Sequence, residues 1–145
     1  MNHKLDLPQH PDPGRTLTVL LSPTRRGARL ARLLTTAHLG HLGLPSESAA
    51  HIVAELAANA MTHGRVQGRD FQLGLAVHGR ALLRIEVSDA RGERLPPGPG
   101  AQVVPGGHVE WGRGLLIVET LADRWGVTPG PVPRKTVWAE LDLVQ

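Results

Sequence analysis

Between Arg91 and Arg113 the chain carries Gly92, Pro96, Pro97, Gly98, Pro99, Gly100, Pro105, Gly106, Gly107 and Gly112, a density that neither a helix nor a strand sustains. An irregular span of this length inside a compact chain is uncommon, and it marks either a functional lid or a linker. We read it as a lid, because regular periodicity precedes and follows it. Before it, Thr16 to Leu21 alternates β-branched and aliphatic residues as an edge strand does. Ser22-Pro23-Thr24 then offers a cap to an arginine-rich helix whose Leu30, Leu33, Leu34 and Ala37 fall on one face. Gly40 and Gly43 break that helix. Pro45-Ser46 opens a second one, with Ser46 able to cap and Glu47 in the first turn, and it is predicted to end at Gly64.

Phe71 to Val77 and Ala81 to Ser88 read as two strands joined by the turn His78-Gly79-Arg80. In the second strand Leu83, Ile85 and Val87 alternate with Arg84, Glu86 and Ser88, so one face of the sheet is apolar and covered. After the lid a third helix is expected from Gly114 to Asp123. Lys135 to Leu143 forms a closing strand in which Val137, Ala139 and Leu141 alternate with Trp138, Glu140 and Asp142. The order strand, helix, helix, hairpin, lid, helix, strand predicts an α/β (α+β) two-layer sandwich. Its mixed, mainly antiparallel sheet is covered on one face by about three helices.

A length of 145 residues suits one domain with one core. Residues 1–15, polar and proline-rich, are read as a flexible tail, and 16–145 as the domain with its lid at about 91–113. With aromatic residues at 3%, the core must be aliphatic, and Phe71, Trp111, Trp125 and Trp138 are its few large pieces. The absence of cysteine removes disulfides, thiolate metal sites and cysteine nucleophiles, and it suits a reducing cytoplasm. No apolar run approaches the roughly 20 residues of a membrane span, and the prolines of the opening segment do not suit a signal peptide, so no membrane partner is expected. A net charge of +3 raises nucleic-acid binding as a reading. The excess is small, and every basic residue except Lys4 and Lys135 is arginine, as a GC-rich genome would dictate, so nucleic acid is disfavoured. His38 and His41 have no suitably placed third or fourth ligand for zinc.

On the second helix Glu55, Asn59 and Thr62 share an arc of about 60°, beside an apolar arc of Ile52, Val53, Leu56 and Ala60. Polar helix faces are usually just solvated. Asn59 is unusual on such a face, since asparagine is a mediocre helix former where Gln or Glu would serve. Asp89 ends an apolar strand and opens the lid, where its carboxylate can accept from an amine. Gly112-Arg113-Gly114 introduces a helix, whose free N–H groups can hold phosphate oxygens.

In combination and in order, these segments resemble a known set. Glu55-Leu-Ala-Ala-Asn59-Ala-Met-Thr-His63-Gly64 resembles the N-box of the GHKL (Bergerat-fold) ATPase superfamily. Val87-Ser-Asp89 resembles the start of its G1 box, and Gly112-Arg113-Gly114-Leu115-Leu116-Ile117-Val118 its G2 box. Lys135-Thr136-Val137-Trp138 is similar to the terminal strand, where members place a threonine near the adenine. The compact layout looks most like the stand-alone anti-sigma-factor serine kinases of actinobacteria.

The resemblance implies that Asn59 coordinates Mg²⁺, a hard oxygen ligand for a hard cation. It implies that Glu55 acts as general base or orients the attacking group, and that Asp89 accepts the adenine amino proton. Gly112 and Gly114 would bring backbone donors to the phosphates, Arg113 and Leu115 between and beside them would belong to the same cofactor-binding segment, and Thr136 would complete the adenine pocket. His63 is read as a structural residue at the helix end. Two positions depart from the pattern: Arg91 replaces the first glycine of the G1 box, and Arg134 stands where a glycine precedes the last strand. The function implied is a cytoplasmic, ATP- and Mg²⁺-binding regulator that engages a protein partner, a sigma factor or an anti-sigma antagonist. Protein serine/threonine kinase activity and homodimerisation are both compatible with it. The alternative is a non-catalytic interaction module with a degenerate nucleotide pocket.

Overall fold

A computed structural model of the chain describes residues 15–79, 81–92, 95–96, 98–100, 114–130 and 132–143. The elements are β1 (Thr16–Leu21), α1 (Arg25–His41), α2 (Glu47–Thr62), β2 (Phe71–His78), β3 (Leu82–Asp89), α3 (Gly114–Leu121), β4 (Arg124–Pro129) and β5 (Lys135–Asp142). The strands form one five-stranded sheet in the order β1-β2-β3-β5-β4, and every pairing is antiparallel. The helices pack on one face, giving the expected two-layer sandwich. Among the described residues no helix is long and apolar enough to cross a membrane.

Strand alternation decides which side chains meet the helices. In β2 and β3 buried and part-exposed residues alternate without a break. The buried set comprises Leu73, Leu75, Val77, Leu83, Ile85 and Val87, and it meets Ile52, Val53, Leu56, Ala57 and Ala60 of α2. α3 adds Leu115 and Val118 to this cluster, and Phe71 and Trp125 are its large members. Trp138 departs from the core role expected of it. It lies on the open face of the sheet, with the Arg84 guanidinium 4.5 Å from its ring centroid.

α1 starts as read: Thr24 caps it, accepting a hydrogen bond from the Gly27 N–H at 3.1 Å. Arg25, Arg26, Arg29 and Arg32 are exposed on its outer side. Its buried face is Gly27, Ala31, Thr35 and Leu39, rotated from the expected leucine stripe, and Leu30 and Leu33 are exposed. Steps of four small or medium residues let the helix pack closely, and the Thr35 hydroxyl is satisfied by the Ala31 carbonyl at 2.8 Å. The helix continues through Gly40 to His41 before Gly43 turns the chain with φ 73. Ser46 is the N-cap residue of α2, but its side chain makes no capping bond.

β4 has no counterpart in the sequence-based expectation. Its Gly126 and Pro129 are poor strand formers, yet an edge position tolerates both. A Cβ at Gly126 would lie 2.8 Å from the Trp138 ring, so the missing side chain makes room for the indole on the neighbouring strand. α3 stops at Leu121 rather than Asp123, because β4 begins at Arg124. The expected tail lies outside the described residues apart from Arg15, whose guanidinium donates to the Gly79 carbonyl at 2.6 Å.

Candidate functional site

The polar arc of α2 exists as read. Ile52, Val53, Leu56 and Ala60 are buried against the sheet, which turns Glu55 and Asn59 sideways into partly exposed positions. The Glu55 carboxylate is bounded on two sides. His51, one turn earlier, places Nε2 3.8 Å from Glu55 Oε2. On the other side, a Cβ at Gly114 would stand 2.7 Å from Glu55 Oε1, so the first turn of α3 approaches the carboxylate closely and any side chain at 114 would push the flexible Glu55 carboxylate aside. Glu55 therefore faces the N-terminal end of α3, where backbone N–H groups are unpaired by the helix itself. Two shallow hollows adjoin this ridge. One is lined by residues of α1 and α2 including Arg32, Glu47 and Glu55, and the other, mostly apolar, by His51, Leu116, Ile117, Thr120 and Leu121.

Asn59 has a buried side-chain Nδ2 with no hydrogen-bond partner among the described residues. An orphaned buried amide donor is costly, and this N–H suits an acceptor such as a phosphate oxygen, leaving the side-chain oxygen of Asn59 as the atom able to meet a cation. Among the described residues no three His, Cys, Asp or Glu side chains cluster as a metal site. A magnesium ion here would rest on Asn59 together with phosphate oxygens and water, as this ion commonly does. The residues present fit that arrangement.

Gly64, just past α2, connects this helix to Asp89. A Cβ at Gly64 would lie 2.1 Å from Asp89 Oδ2, so no larger residue could leave the carboxylate where it is. The end of α2 and the end of β3 thus meet at one edge of the domain, and Asp89 is buried there.

Asp89 is not an isolated acceptor. Its Oδ1 accepts the Arg91 backbone N–H at 2.9 Å and Lys135 Nζ at 2.9 Å. Lys135 also donates to the Arg91 carbonyl at 3.0 Å. The two side chains sit opposite one another in the β3–β5 ladder and are 8% and 2% exposed. Thr136 points to the other face, where its hydroxyl is 2.7 Å from the Ser88 hydroxyl. The structure therefore brings Lys135 rather than Thr136 to Asp89.

Gly112 and Arg113 lie outside the described residues, and Gly114 and Leu115 open α3, Leu115 fully buried. Lys135 is the site residue that sequence reasoning missed. Its signal was present, since the alternation of Val137, Ala139 and Leu141, taken one step back, puts residue 135 on the covered face.

A comparison with curated proteins finds no match. Among solved structures, the RsbU and RsbW domains of Rv1364c from Mycobacterium tuberculosis superpose with a TM-score of 0.67 at 20% sequence identity. The match covers 90% of this chain and 33% of that one, so the chain spans about a third of the length of that protein and shares its fold. The model of the histidine kinase-like ATPase domain matches residues 21–140, from the end of β1 to within β5. Matched by that model over most of its length, the chain belongs to the histidine kinase-like ATPase domain family.

Proposed function

We propose that the chain is an Mg·ATP-binding regulator that engages a protein partner and transfers phosphate to it, as the anti-sigma-factor serine kinases it resembles do. The observation that carries this reading is the meeting of three elements: Glu55 against the start of α3, Asn59 with its unsatisfied buried amide, and Asp89 behind Gly64. Structural likeness to the RsbW-containing protein supports the fold on which such a regulator is built.

Phosphoryl transfer asks a protein mainly for positioning and charge neutralisation. Asn59 and the α3 backbone would hold the triphosphate end, with Mg²⁺ supplying neutralisation of its charge. Glu55, steadied by His51, would accept the proton of an incoming hydroxyl. That hydroxyl oxygen would bond the terminal phosphorus as the bond from phosphorus to the bridging oxygen breaks, with ADP leaving and the hydroxyl proton passing to Glu55. Partner residues would reach Glu55 across the exposed surface around His51.

Calorimetric titration with Mg·ATP tests the binding half, with Asn59→Ala expected to weaken it at least tenfold and Glu55→Ala to leave it largely intact. Incubation with labelled ATP and candidate antagonist proteins tests the other half. Transfer that Glu55→Ala abolishes is expected, and failure to phosphorylate any candidate would remove the kinase activity. A second reading, a non-catalytic interaction module, is favoured by the engagement of Asp89 with Lys135 and Arg91. Glu55-dependent transfer would exclude it.

A further inference from the structure

We propose that Lys135 is the residue that sets the pocket's affinity and selectivity for the nucleotide base, by serving as a resident counter-ion for Asp89. The inference rests on the reading of the site as an ATP pocket. It concerns what the base meets there.

A base-reading carboxylate works by offering a negatively charged acceptor to an exocyclic amine. Asp89 has already committed that charge. Oδ1 takes both the Lys135 ammonium and the Arg91 N–H at 2.9 Å. Oδ2 stands against Gly64, too close for any side chain there. Lys135 is in turn fixed by the Arg91 carbonyl at 3.0 Å and by its place opposite Asp89 in the ladder. Ion pair and turn lock each other, because the same residue, Arg91, donates to the carboxylate and accepts from the ammonium.

The energetics favour the resident partner. A charged donor forms a hydrogen bond about twice as strong as a neutral one. A neutral amine on a base therefore does not displace the ammonium from Oδ1. It meets a carboxylate whose charge is neutralised, and gains less there than it would from an unpaired one. The same loss affects discrimination: a weak acceptor separates bases that present an amine from bases that present a carbonyl less sharply. The phosphate end of the ligand is held by other residues and does not depend on this pair.

Lys135→Thr removes the ammonium and leaves a small hydroxyl residue. Affinities for Mg·ATP, Mg·GTP and Mg·tripolyphosphate, which has no base, separate the contributions. Expected in Lys135→Thr are ATP binding at least tenfold tighter than wild type, a wider ATP-over-GTP preference, and tripolyphosphate affinity moved less than twofold. Unchanged or weaker ATP binding in a folded Lys135→Thr overturns the proposal. So does an equal gain for ATP and tripolyphosphate, which would place the effect outside the base site. If wild type binds ATP and the variant gains nothing, only the role of Lys135 falls. If neither form binds any nucleotide, the ATP reading falls and takes this inference with it. A measurement on the unaltered protein stands beside the variant. The chain holds only two lysines, Lys4 and Lys135, so the buried ammonium is readily assigned in ¹⁵N NMR. Its resonance is expected to shift on saturation with Mg·ATP and to stay in place with Mg·tripolyphosphate. An ammonium signal indifferent to ATP at saturation overturns the proposal even if Lys135→Thr does not fold.

Discussion

Strands β3 and β5 share one ladder but carry two different kinds of ionic pairing on its two faces. On the covered face Asp89 and Lys135 form a single pair whose side chains are 8% and 2% exposed. On the open face Arg84 reaches Glu86 and Glu140, while Arg124 reaches Glu140 and Asp142. There the exposures run from 17% for Glu140 to 48% for Arg124. Water can replace any member of the open network, so its contribution is modest and sensitive to salt. Neither member of the buried pair has that recourse. Each is tolerated only because the other is present. The open network ties the sheet strands together across their solvated face, whereas the buried pair joins the end of β3 to the start of β5 on the covered one.

The sharpest test of this contrast is to remove one member of the buried pair. Lys135→Met should destabilise the protein by about 3–5 kcal/mol, because the buried Asp89 carboxyl loses its counter-ion. Chemical denaturation would measure it, and the double variant Asp89→Leu/Lys135→Met should recover most of the loss. A single variant as stable as wild type would show that water already reaches the pair.

Gly64→Ala comes next. Its new methyl would collide with Asp89 Oδ2 at 2.1 Å, and a cost of about 1–3 kcal/mol is expected from forcing the carboxylate aside. On the open face, Arg84→Ala should cost about 1 kcal/mol, combining an exposed ion pair with the stacking on Trp138. Part of that loss should disappear in high salt. A loss as large as that of Lys135→Met would erase the distinction between the faces.

The smallest effect is a matter of pH. Burial alone would raise the Glu140 carboxyl, but hydrogen bonds from Arg124 and Arg84 outweigh it and hold the group below its ordinary value of 4.5. A carboxyl depressed in the folded state contributes stability above its unfolded value and loses it as pH falls through the folded one. Thermal unfolding of wild type should therefore fall off below about pH 4.5. Arg84→Ala should make that fall shallower, since one of the two guanidinium partners of Glu140 is gone. An unchanged acid slope would mean that Arg84 does not act on Glu140 in solution.

Periodicity made much of this legible. Alternation in β2, β3 and β5 reports which face is covered, and the spacing of Glu55, Asn59 and the apolar arc reports how α2 is turned. Resemblance carried the identity of the motifs. What stayed hidden has physical reasons. β4 carries Trp125, Val127 and Thr128, but Gly126 and Pro129 interrupt so short a run and mask it. The buried stripe of α1 runs through Gly27, Ala31 and Thr35 because close helix packing favours small residues over the leucines that dominate a hydrophobic pattern. Thr136 matched a motif by residue type, but the strand period places it beside Ser88 on the open face and Lys135 beside Asp89.

Whether these elements form an ATP pocket is decided by thermal unfolding with and without Mg·ATP in wild type and Asn59→Ala. Ligand at 100 times its dissociation constant should add about 2.7 kcal/mol of stability. A shift that requires Mg²⁺ and is lost in Asn59→Ala is expected. A folded wild type whose unfolding is indifferent to millimolar Mg·ATP, with Lys135→Thr equally indifferent, would contradict the ATP pocket.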